Sequence, residues 1–466
     1  MTRADRFVDL LVAATVGVYA LVAVGATTTL TDAAAACTSW PTCGGAPLSP
    51  AVAVVWTHRL GSVLVGALVL AAAALAWRRP LRTRVRAALT AAVLAYPVQV
   101  GIGAVAATAP AGTVSAVHLA VGVGIFGAIV LSLAWALEPA DTGSGTSAPA
   151  AVERADPAPD PATDAAPAAP ERLGAATPLD RLRAYVRLTK PRLMWLLCLV
   201  AAAGMALAAG AGGGGLTVRT VVATLGGGVL AIGASGTFNN AVERDRDRKM
   251  DRTADRPVAT HRVPTRRAYA FGVALSLGAL WAFLQVNVLA AVLGLTAIAY
   301  YSVVYTVVLK PNTVQNTVIG GFAGSLPALI GWAAVTGSVG LPALALAGVI
   351  FLWTPAHFYN LAMAYREDYA AGGFPMLPVV YGDDVARKHV LYYLGATLAS
   401  AAGLAAVAGL GPLFGATTVV FGALFLWFAV VHHRDTTRAA ALRTFHASNA
   451  YLGAVLVAVV VDGLAV

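Results

Sequence analysis

The amino-acid sequence predicts an all-α polytopic membrane protein with a four-helix N-terminal bundle and a nine-helix C-terminal bundle. The 466 residues are 58% hydrophobic and only 12% charged, and the mean hydropathy is +0.74. The apolar runs are long enough for helices that cross roughly 30 Å of hydrocarbon. They are rich in Gly and Ala and do not alternate, so helices are favoured over a transmembrane barrel.

The net charge of +10 indicates membrane topology, and we expect no nucleic-acid partner. Lys and Arg fall in alternate loops beside apolar spans, which is typical of proteins whose basic loops stay in the cytoplasm. We see no cleavable signal peptide, because the first apolar run continues as a spanning helix from Phe7. The chain is therefore predicted to be an integral, multi-pass protein of the cell membrane, in contact with lipid.

The first domain, 1–137, is predicted to contain four spans. They lie near 7–29, 51–77, 87–108 and 114–137. The loop 78–86 is strongly basic, whereas the loops 30–50 and 109–113 carry almost no charge. The basic loop is expected in the cytoplasm, which leaves Cys37 and Cys43 outside.

Residues 138–180 are dense in Ala, Pro, Asp, Glu, Thr and Gly, and predict a disordered acidic cytoplasmic linker. The second domain, 181–466, is predicted to contain nine spans, near 188–210, 216–242, 267–285, 287–308, 314–336, 340–363, 387–409, 412–431 and 445–465. The glycine tracts 212–215 and 226–228 are expected to serve close packing and turns. No Lys-Ser/Thr follows them, as a phosphate-binding loop would require.

An acidic constellation lies at the cytoplasmic end of the second span of this domain. Asn239, Glu243 and Asp247 recur at four-residue intervals and so share one helical face. The alternative is a solvated helix end held by local ion pairs. The site interpretation is favoured because the three residues align beside an apolar span, and because Glu367 and Asp368 form a second acidic cluster at another helix end.

Two such clusters surrounded by cations suit a diphosphate leaving group. Oxygen ligands on a rigid face are typical of Mg²⁺, which is held by one or two carboxylates plus phosphate oxygens. Mg²⁺ and basic side chains would stabilise the charge that develops on diphosphate as its carbon–oxygen bond breaks. An apolar, aromatic cavity would hold the isoprenoid tail and exclude water.

Three stretches in the second domain resemble the protoheme IX farnesyltransferases, or heme O synthases, of the UbiA prenyltransferase superfamily. They are NNAVERDRDRKMDRTADRP at 239–257, VLKPNTVQNTVIGGFAGSLPALIGW at 308–332 and PAHFYNLAMAYREDYAAGGFPMLPV at 355–379. The resemblance runs from Tyr185 to Asp462 and implies a UbiA-type nine-helix fold. It also implies Mg²⁺-dependent transfer of a prenyl group from prenyl diphosphate to heme b.

The resemblance assigns the metal–diphosphate site to Asn239, Glu243, Asp247 and Asp368. Glu243 replaces the middle Asp of the first superfamily motif. The second motif would place its outer Asp residues at 365 and 369, where this chain has Tyr. Asp368 remains, as in the heme-prenylating branch, and favours heme over a quinone or lipid acceptor.

Further residues are predicted to hold the substrates by the same resemblance. They are Lys190, Arg192, Arg248, Arg252, Arg256, Lys310, Glu367, Tyr365 and His357. A positive-inside topology role is the alternative for each cation, and hydrogen-bonded packing is the alternative for His357. The resemblance leaves the prenyl length open. Rival interpretations are a UbiA-type enzyme acting on a quinone precursor or archaeal lipid, and a non-catalytic heme-binding or transport bundle.

His58 and His118 lie near the outer ends of two N-terminal spans and are candidate axial ligands of a bound heme. This domain resembles one four-helix half of heme A synthase. The resemblance implies a disulfide between Cys37 and Cys43 and homodimerisation to complete a two-heme site. The family's Glu three residues before the first His is replaced by Val55, so hydroxylation does not follow from the resemblance.

Overall fold

The computed structural model describes residues 3–27, 33, 36–37, 39–46, 49–108, 112–138, 177–214 and 216–465. Most of the predicted linker, 139–176, lies outside these residues, and its predicted character stays a prediction. Throughout the described ranges the regular elements are helices and no strand occurs. Thirteen of these helices are long and apolar enough to cross a membrane. The predicted all-α class and number of spans are therefore confirmed.

The N-terminal bundle contains four of the spanning helices. They are α1 (Arg3–Ala26), α2 (Pro50–Trp77), α3 (Thr83–Thr108) and α4 (Thr113–Ala136). Ser49 caps α2 by accepting a hydrogen bond from the Val52 N–H, and Pro50 occupies the first turn, where a missing N–H costs nothing. Before α2, Cys37 and Cys43 are joined in a disulfide.

The C-terminal bundle contains the other nine spans, together with short helices at its charged end. The elements are α5 (Pro178–Leu188), α6 (Pro191–Gly210), α7 (Val218–Val242), α8 (Arg244–Asp247), α9 (Thr265–Leu284), α10 (Val288–Ala299), a π-helix (Tyr300–Leu309), α11 (Lys310–Asn312), α12 (Asn316–Thr336), α13 (Leu341–Ala364), α14 (Arg366–Ala371), α15 (Leu377–Tyr381), α16 (Asp383–Ala408), α17 (Pro412–Arg434) and α18 (Arg438–Ala465). α10, the π-helix and α11 form one continuous span.

Small residues set how closely the central helices cross. A Cβ atom at Gly204 on α6 would overlap the Ala328 carbonyl on α12, and one at Gly331 on α12 would overlap the Ala201 carbonyl on α6. The two backbones are therefore in direct contact. Close backbone packing of this kind holds helices together in lipid. Burying apolar side chains between helices gains little free energy there, because the lipid tails are also apolar.

The two bundles pack against each other through α4 on α16 and α1 on α17. Trp135 donates its indole N–H to the Tyr392 hydroxyl at 2.7 Å. At the charged end, Glu138 forms ion pairs with Arg82, Arg84 and Lys388. The carboxylate of one residue thus joins the start of α3 to the start of α16.

Candidate active site

The acidic face predicted from the sequence lies at the charged end of α7. The Glu243 N–H donates to the Asn239 carbonyl at 2.9 Å, and the Asp247 N–H donates to the Glu243 carbonyl at 2.8 Å. The helical hydrogen-bond pattern therefore continues across the break between α7 and α8 and keeps the three residues in line. All three side chains are buried, so they do not form a solvated helix end.

Cations from three other segments surround this face. Lys310 donates to Glu243 at 2.6 Å, and the Arg256 guanidinium contacts both oxygens of Asp247 at 2.8 Å. Arg256 also lies 3.9 Å from Glu243. Lys190 donates to the Asn239 side-chain oxygen. Three cations face two carboxylates, and this excess positive charge in a buried setting attracts an anion.

The π-helix positions Thr306 against Asn239 and Lys310 against Glu243. Thr306 donates to the Tyr301 carbonyl five residues earlier, at 2.8 Å, and accepts from the Asn239 side-chain amide at 3.2 Å. The wider turn ends at Leu309, so that Lys310 reaches Glu243. Departures of this kind from α-helical geometry are often found at functional sites.

Lys190 adopts an unusual backbone conformation. Its φ of 53° and ψ of 58° are left-handed, which costs a residue with a side chain about 1–2 kcal/mol. It also precedes Pro191, which restricts it further. This conformation brings its ammonium group to Asn239 and to 5.9 Å from the centre of the Tyr301 ring. Strain held at one residue of a polar cluster is typical of a functional site.

The ionisation of the cluster follows from burial and from the neighbouring charges. Burial raises the pKa of Glu243, but Lys310 and Lys190 outweigh burial and hold the pKa below its usual range. For Asp247, the effect of burial is larger than the opposing effect of the Arg256 charge, so the pKa is raised above its usual value. Burial, followed by repulsion from Arg256, lowers the pKa of Lys190 to about 7. An anionic ligand beside Lys190 would stabilise its charged form.

Asp368, in the second acidic cluster, is hydrogen-bonded to the loop that follows Asp247 in the first cluster. Asp368 accepts hydrogen bonds from the backbone N–H groups of Asp251 and Arg252, each at 3.3 Å. Arg252 lies over the rings of Tyr365 and Tyr369, 5.2 and 5.5 Å from their centres. Asp368 therefore fastens the loop that ends at Arg256.

Four of the predicted residues lie away from this cluster. Glu367 and Arg192 are exposed. Arg248 contacts the Ala259 carbonyl, Asp245 and His261. The His357 ring is stacked between Trp353 and Phe445, and its Nδ1 lies 2.7 Å from the Ser448 hydroxyl. For His357 the structure therefore favours the packing alternative.

An apolar cavity of about 760 Å³, including its mouth, begins at Lys190 and Tyr301 and extends between α6, α7, α10 and α12. Leu197, Ile232 and Phe283 are among the residues in its wall. A ligand in this cavity would have its apolar chain between the helices and its anionic head group beside Lys190.

The sequence predicted an aromatic cavity, but sequence reasoning did not identify the aromatic residues that contact the cations, apart from Tyr365. Tyr301 lines the cavity mouth, Phe374 lies 4.2 Å under the Lys310 ammonium group, and Tyr369 accepts from Arg252 at 3.3 Å. The four-residue spacing of Tyr301 and Tyr305 was the available signal. It is weak, because aromatic residues at that spacing occur on many apolar helices.

In the N-terminal bundle, His58 lies on α2 and His118 lies on α4. The Nδ1 atom of each is buried and has no hydrogen-bond partner. The Gln99 amide donates to the His118 carbonyl at 2.9 Å, and its nitrogen lies 3.3 Å from His118 Nε2. Two imidazoles on different helices thus keep unused nitrogen atoms inside the bundle.

A partly buried cationic cluster at one end of an apolar intramembrane cavity defines a protein that binds amphiphiles with an anionic head. The chain belongs to the UbiA prenyltransferase family, whose profile matches residues 196–452. That stretch contains Asn239, Glu243, Asp247, Arg256, Lys310 and Asp368, and Lys190 lies just before it.

Individual relatives and a solved structure extend the comparison. The chain is 60% identical to protoheme IX farnesyltransferase of Haloarcula marismortui over 100% of both chains. It is 58% identical to the protein of that name from Halobacterium salinarum over 99% of each. The solved structure of a digeranylgeranylglyceryl phosphate synthase in membranes matches 62% of this chain and all of that one, with a TM-score of 0.50 and 15% identity, and shares the fold.

Proposed function

We propose that this protein transfers a farnesyl group from farnesyl diphosphate to a vinyl group of protoheme IX and so makes heme O. The proposal rests chiefly on Lys190, Arg256 and Lys310, which surround Glu243 and Asp247 at the mouth of the apolar cavity. The two relatives named above carry the name of this activity over the full length of the chain.

Mg²⁺ fits the donor set at this site. Throughout the described residues, no three His, Cys, Asp or Glu side chains are grouped to hold a metal ion unaided. Mg²⁺ is usually held by only one or two carboxylates together with phosphate oxygens. Asn239, Glu243 and Asp247 would hold it, with Asp368 as a further predicted ligand. Bound there, it would supply a Lewis acid for the charge on the diphosphate.

The chain's own cations bind and stabilise the diphosphate. Lys190, Arg256 and Lys310 are already held in place by Asn239, Asp247 and Glu243. Cations that need no rearrangement stabilise the developing negative charge more effectively than water does. The cavity wall keeps water from the allylic cation, and the face of Tyr301 stabilises it at the mouth.

In the proposed reaction, the bond between the farnesyl carbon and the diphosphate oxygen breaks, and its electron pair leaves with diphosphate. The π electrons of a heme vinyl group then form the new carbon–carbon bond. Water adds to the resulting cation beside the porphyrin ring and loses a proton, which gives a hydroxyethylfarnesyl group. The site is proposed to face the cytoplasm, because Lys and Arg are concentrated at this end of the bundle.

Replacing Asp247 by Asn tests the proposal. The variant keeps the side-chain shape but removes the charge that holds Arg256, so we expect heme O formation to fall by a factor of about 10²–10³. The measurement is mass analysis of hemes extracted from a host that makes neither heme O nor heme A. Asp245→Asn is the control, because Asp245 is exposed and should retain activity. Wild-type protein that prenylates a quinone precursor or a lipid instead of heme would overturn the proposed acceptor.

The N-terminal bundle is proposed to bind heme through His58 and His118, within a homodimer. The unused buried nitrogens of both imidazoles support this role. Bis-imidazole ligation would supply a low-spin heme in the bundle. We expect His58→Ala to lower the heme absorbance of the purified full-length protein while heme O formation continues. Unchanged absorbance would exclude His58 as a ligand.

A further inference from the structure

The glycine tract Gly226–Gly228 on α7 meets three different environments. A Cβ atom at Gly227 would lie 2.9 Å from the Phe283 ring. At Gly226 and Gly228 a Cβ atom would meet nothing within 4 Å. Gly226 is exposed and is not part of the cavity wall, whereas Gly228 lines the cavity. A side chain at Gly228 would therefore project into the cavity without striking the protein.

Helix geometry gives the depth of this cavity. Along α7 its wall runs from Gly236, beside Lys190, to Thr224. At 1.5 Å per residue, the twelve steps between them span about 18 Å. Gly228 lies eight steps from Gly236, at a depth of about 12 Å.

Thr224 lies at the far end of the wall that α7 supplies, and Phe283 lies about one helical turn nearer to Gly236, beside Gly227. Both are buried, 0% and 1% exposed. The Phe283 ring lies against Gly227 on one side and Gly294 on the other, so its position is fixed by two backbones. The Thr224 hydroxyl is buried without a hydrogen-bond partner, which is consistent with an apolar end.

The depth matches a particular donor length. Four carbon–carbon bonds of about 1.5 Å make one extended isoprene unit about 5 Å long. Farnesyl, with three units, needs about 15 Å, so its third unit would extend past Gly228 along this wall of about 18 Å. A side chain at Gly228 would leave about 12 Å, enough for the two units of geranyl.

We infer that Gly228 limits the length of the prenyl donor that fits: the absence of a side chain at this position keeps the last third of the cavity open to the third isoprene unit. The inference rests on the proposed prenyl transfer but does not depend on the acceptor. It gives the tract 226–228 a role in specificity in addition to packing.

Donor binding tests the inference directly. The probes are the unreactive thiolodiphosphates of geraniol, farnesol and geranylgeraniol, titrated with Mg²⁺ onto full-length protein in lipid nanodiscs. We expect Gly228→Leu to weaken the farnesyl probe by about 10–100-fold and to leave the geranyl probe within about 3-fold of wild type. Gly226→Leu is the matched control, since it adds the same side chain two residues away but outside the cavity, and should bind all three probes as wild type does.

Thermal unfolding within a few degrees of wild type would show that each variant folds.

Other outcomes overturn the inference. Equal weakening of all three probes by Gly228→Leu would show general damage to the site, and unchanged binding of the farnesyl probe would show that Gly228 does not limit the chain that the cavity accepts. Failure of the proposed function has a different signature. Heme would then remain unmodified with every reactive donor, while the order of probe affinities would be unaffected if the inference holds.

Discussion

At the scale of single residues, the site combines a strained lysine with more cations than carboxylates. Lys190 holds a left-handed backbone conformation and a pKa lowered to about 7 by burial and by Arg256. Both features oppose folding, and neither is needed to form α6, which begins at Pro191. A residue that destabilises the fold at this position is expected to be retained for ligand binding.

Replacing Lys190 by Gly should therefore separate stability from activity. Glycine adopts the left-handed conformation without strain, and the change also removes a buried charge, so we expect the free energy of unfolding to rise by about 1–2 kcal/mol. Heme O formation should fall by at least about 10² because one diphosphate contact is lost. Thermal unfolding in detergent and heme extraction measure the two effects.

Arg192→Ala provides the control for Lys190→Gly. Arg192 lies two residues further along and is exposed, so its loss should change neither quantity appreciably. A Lys190→Gly variant that is less stable than wild type, or equally active, would show that the conformation of Lys190 serves the fold alone.

Residue spacing was sufficient to predict the acidic face but not its partners. The four-residue interval of Asn239, Glu243 and Asp247 is visible in the sequence because hydrogen bonding along one helix fixes it. The pairing of Glu243 with Lys310 joins residues far apart in the chain and depends on how α7 packs against the π-helix. Only the tertiary structure gives that contact.

At the scale of elements, apolar run length predicted the spans but not the helices at the charged end. The predicted span at 287–308 corresponds to a helix that runs from Val288 to Asn312, and its second half is a π-helix. Run length carries no information about π-helical turns, since they depend on packing and on contacts such as that of Thr306 with Asn239. The short helices α5, α14 and α15 are too short or too polar to span, and hydropathy does not detect them.

Deleting Val304 tests the role of the π-helix. Loss of one residue would favour α-helical turns in this segment and rotate the following residues by about 100°, one step of a helix with 3.6 residues per turn. Lys310 would then point away from Glu243. We expect heme O formation to be lost, while circular dichroism still shows a helical protein.

The point substitution Val304→Ala is the control for this deletion. Val304 is partly exposed, and the substitution keeps the register, so activity should remain close to wild type. A deletion variant with normal activity would show that Lys310 reaches the site from either register, and that the π-helix has no part in positioning it.

At the scale of the whole molecule, the interface between the bundles has buried rings and one shared carboxylate. Arg434 pairs with Asp9 at 3.0 Å, and Glu138 pairs with Arg82, Arg84 and Lys388. These ion pairs lie at the same end of the molecule as the candidate active site. His58 lies on α2, whose opposite end leads into the basic segment before α3, so the two predicted sites lie toward opposite ends of the protein.

The contacts of Glu138 lead to a prediction about how the bundles are held together. Glu138→Gln would leave several partly buried cations of the interface facing a neutral amide in place of a carboxylate. We expect a loss of about 1–3 kcal/mol in the free energy of unfolding, seen as a lower midpoint of thermal unfolding in detergent. Heme O formation by the folded protein should be unchanged, because Glu138 contacts none of the cavity or diphosphate residues.

Asp180→Asn is the control, since Asp180 is exposed on α5 and its loss should leave the interface intact. A Glu138→Gln variant with wild-type stability would show that ring contacts, such as that of Trp135 with Tyr392, hold the bundles together without help from these charges.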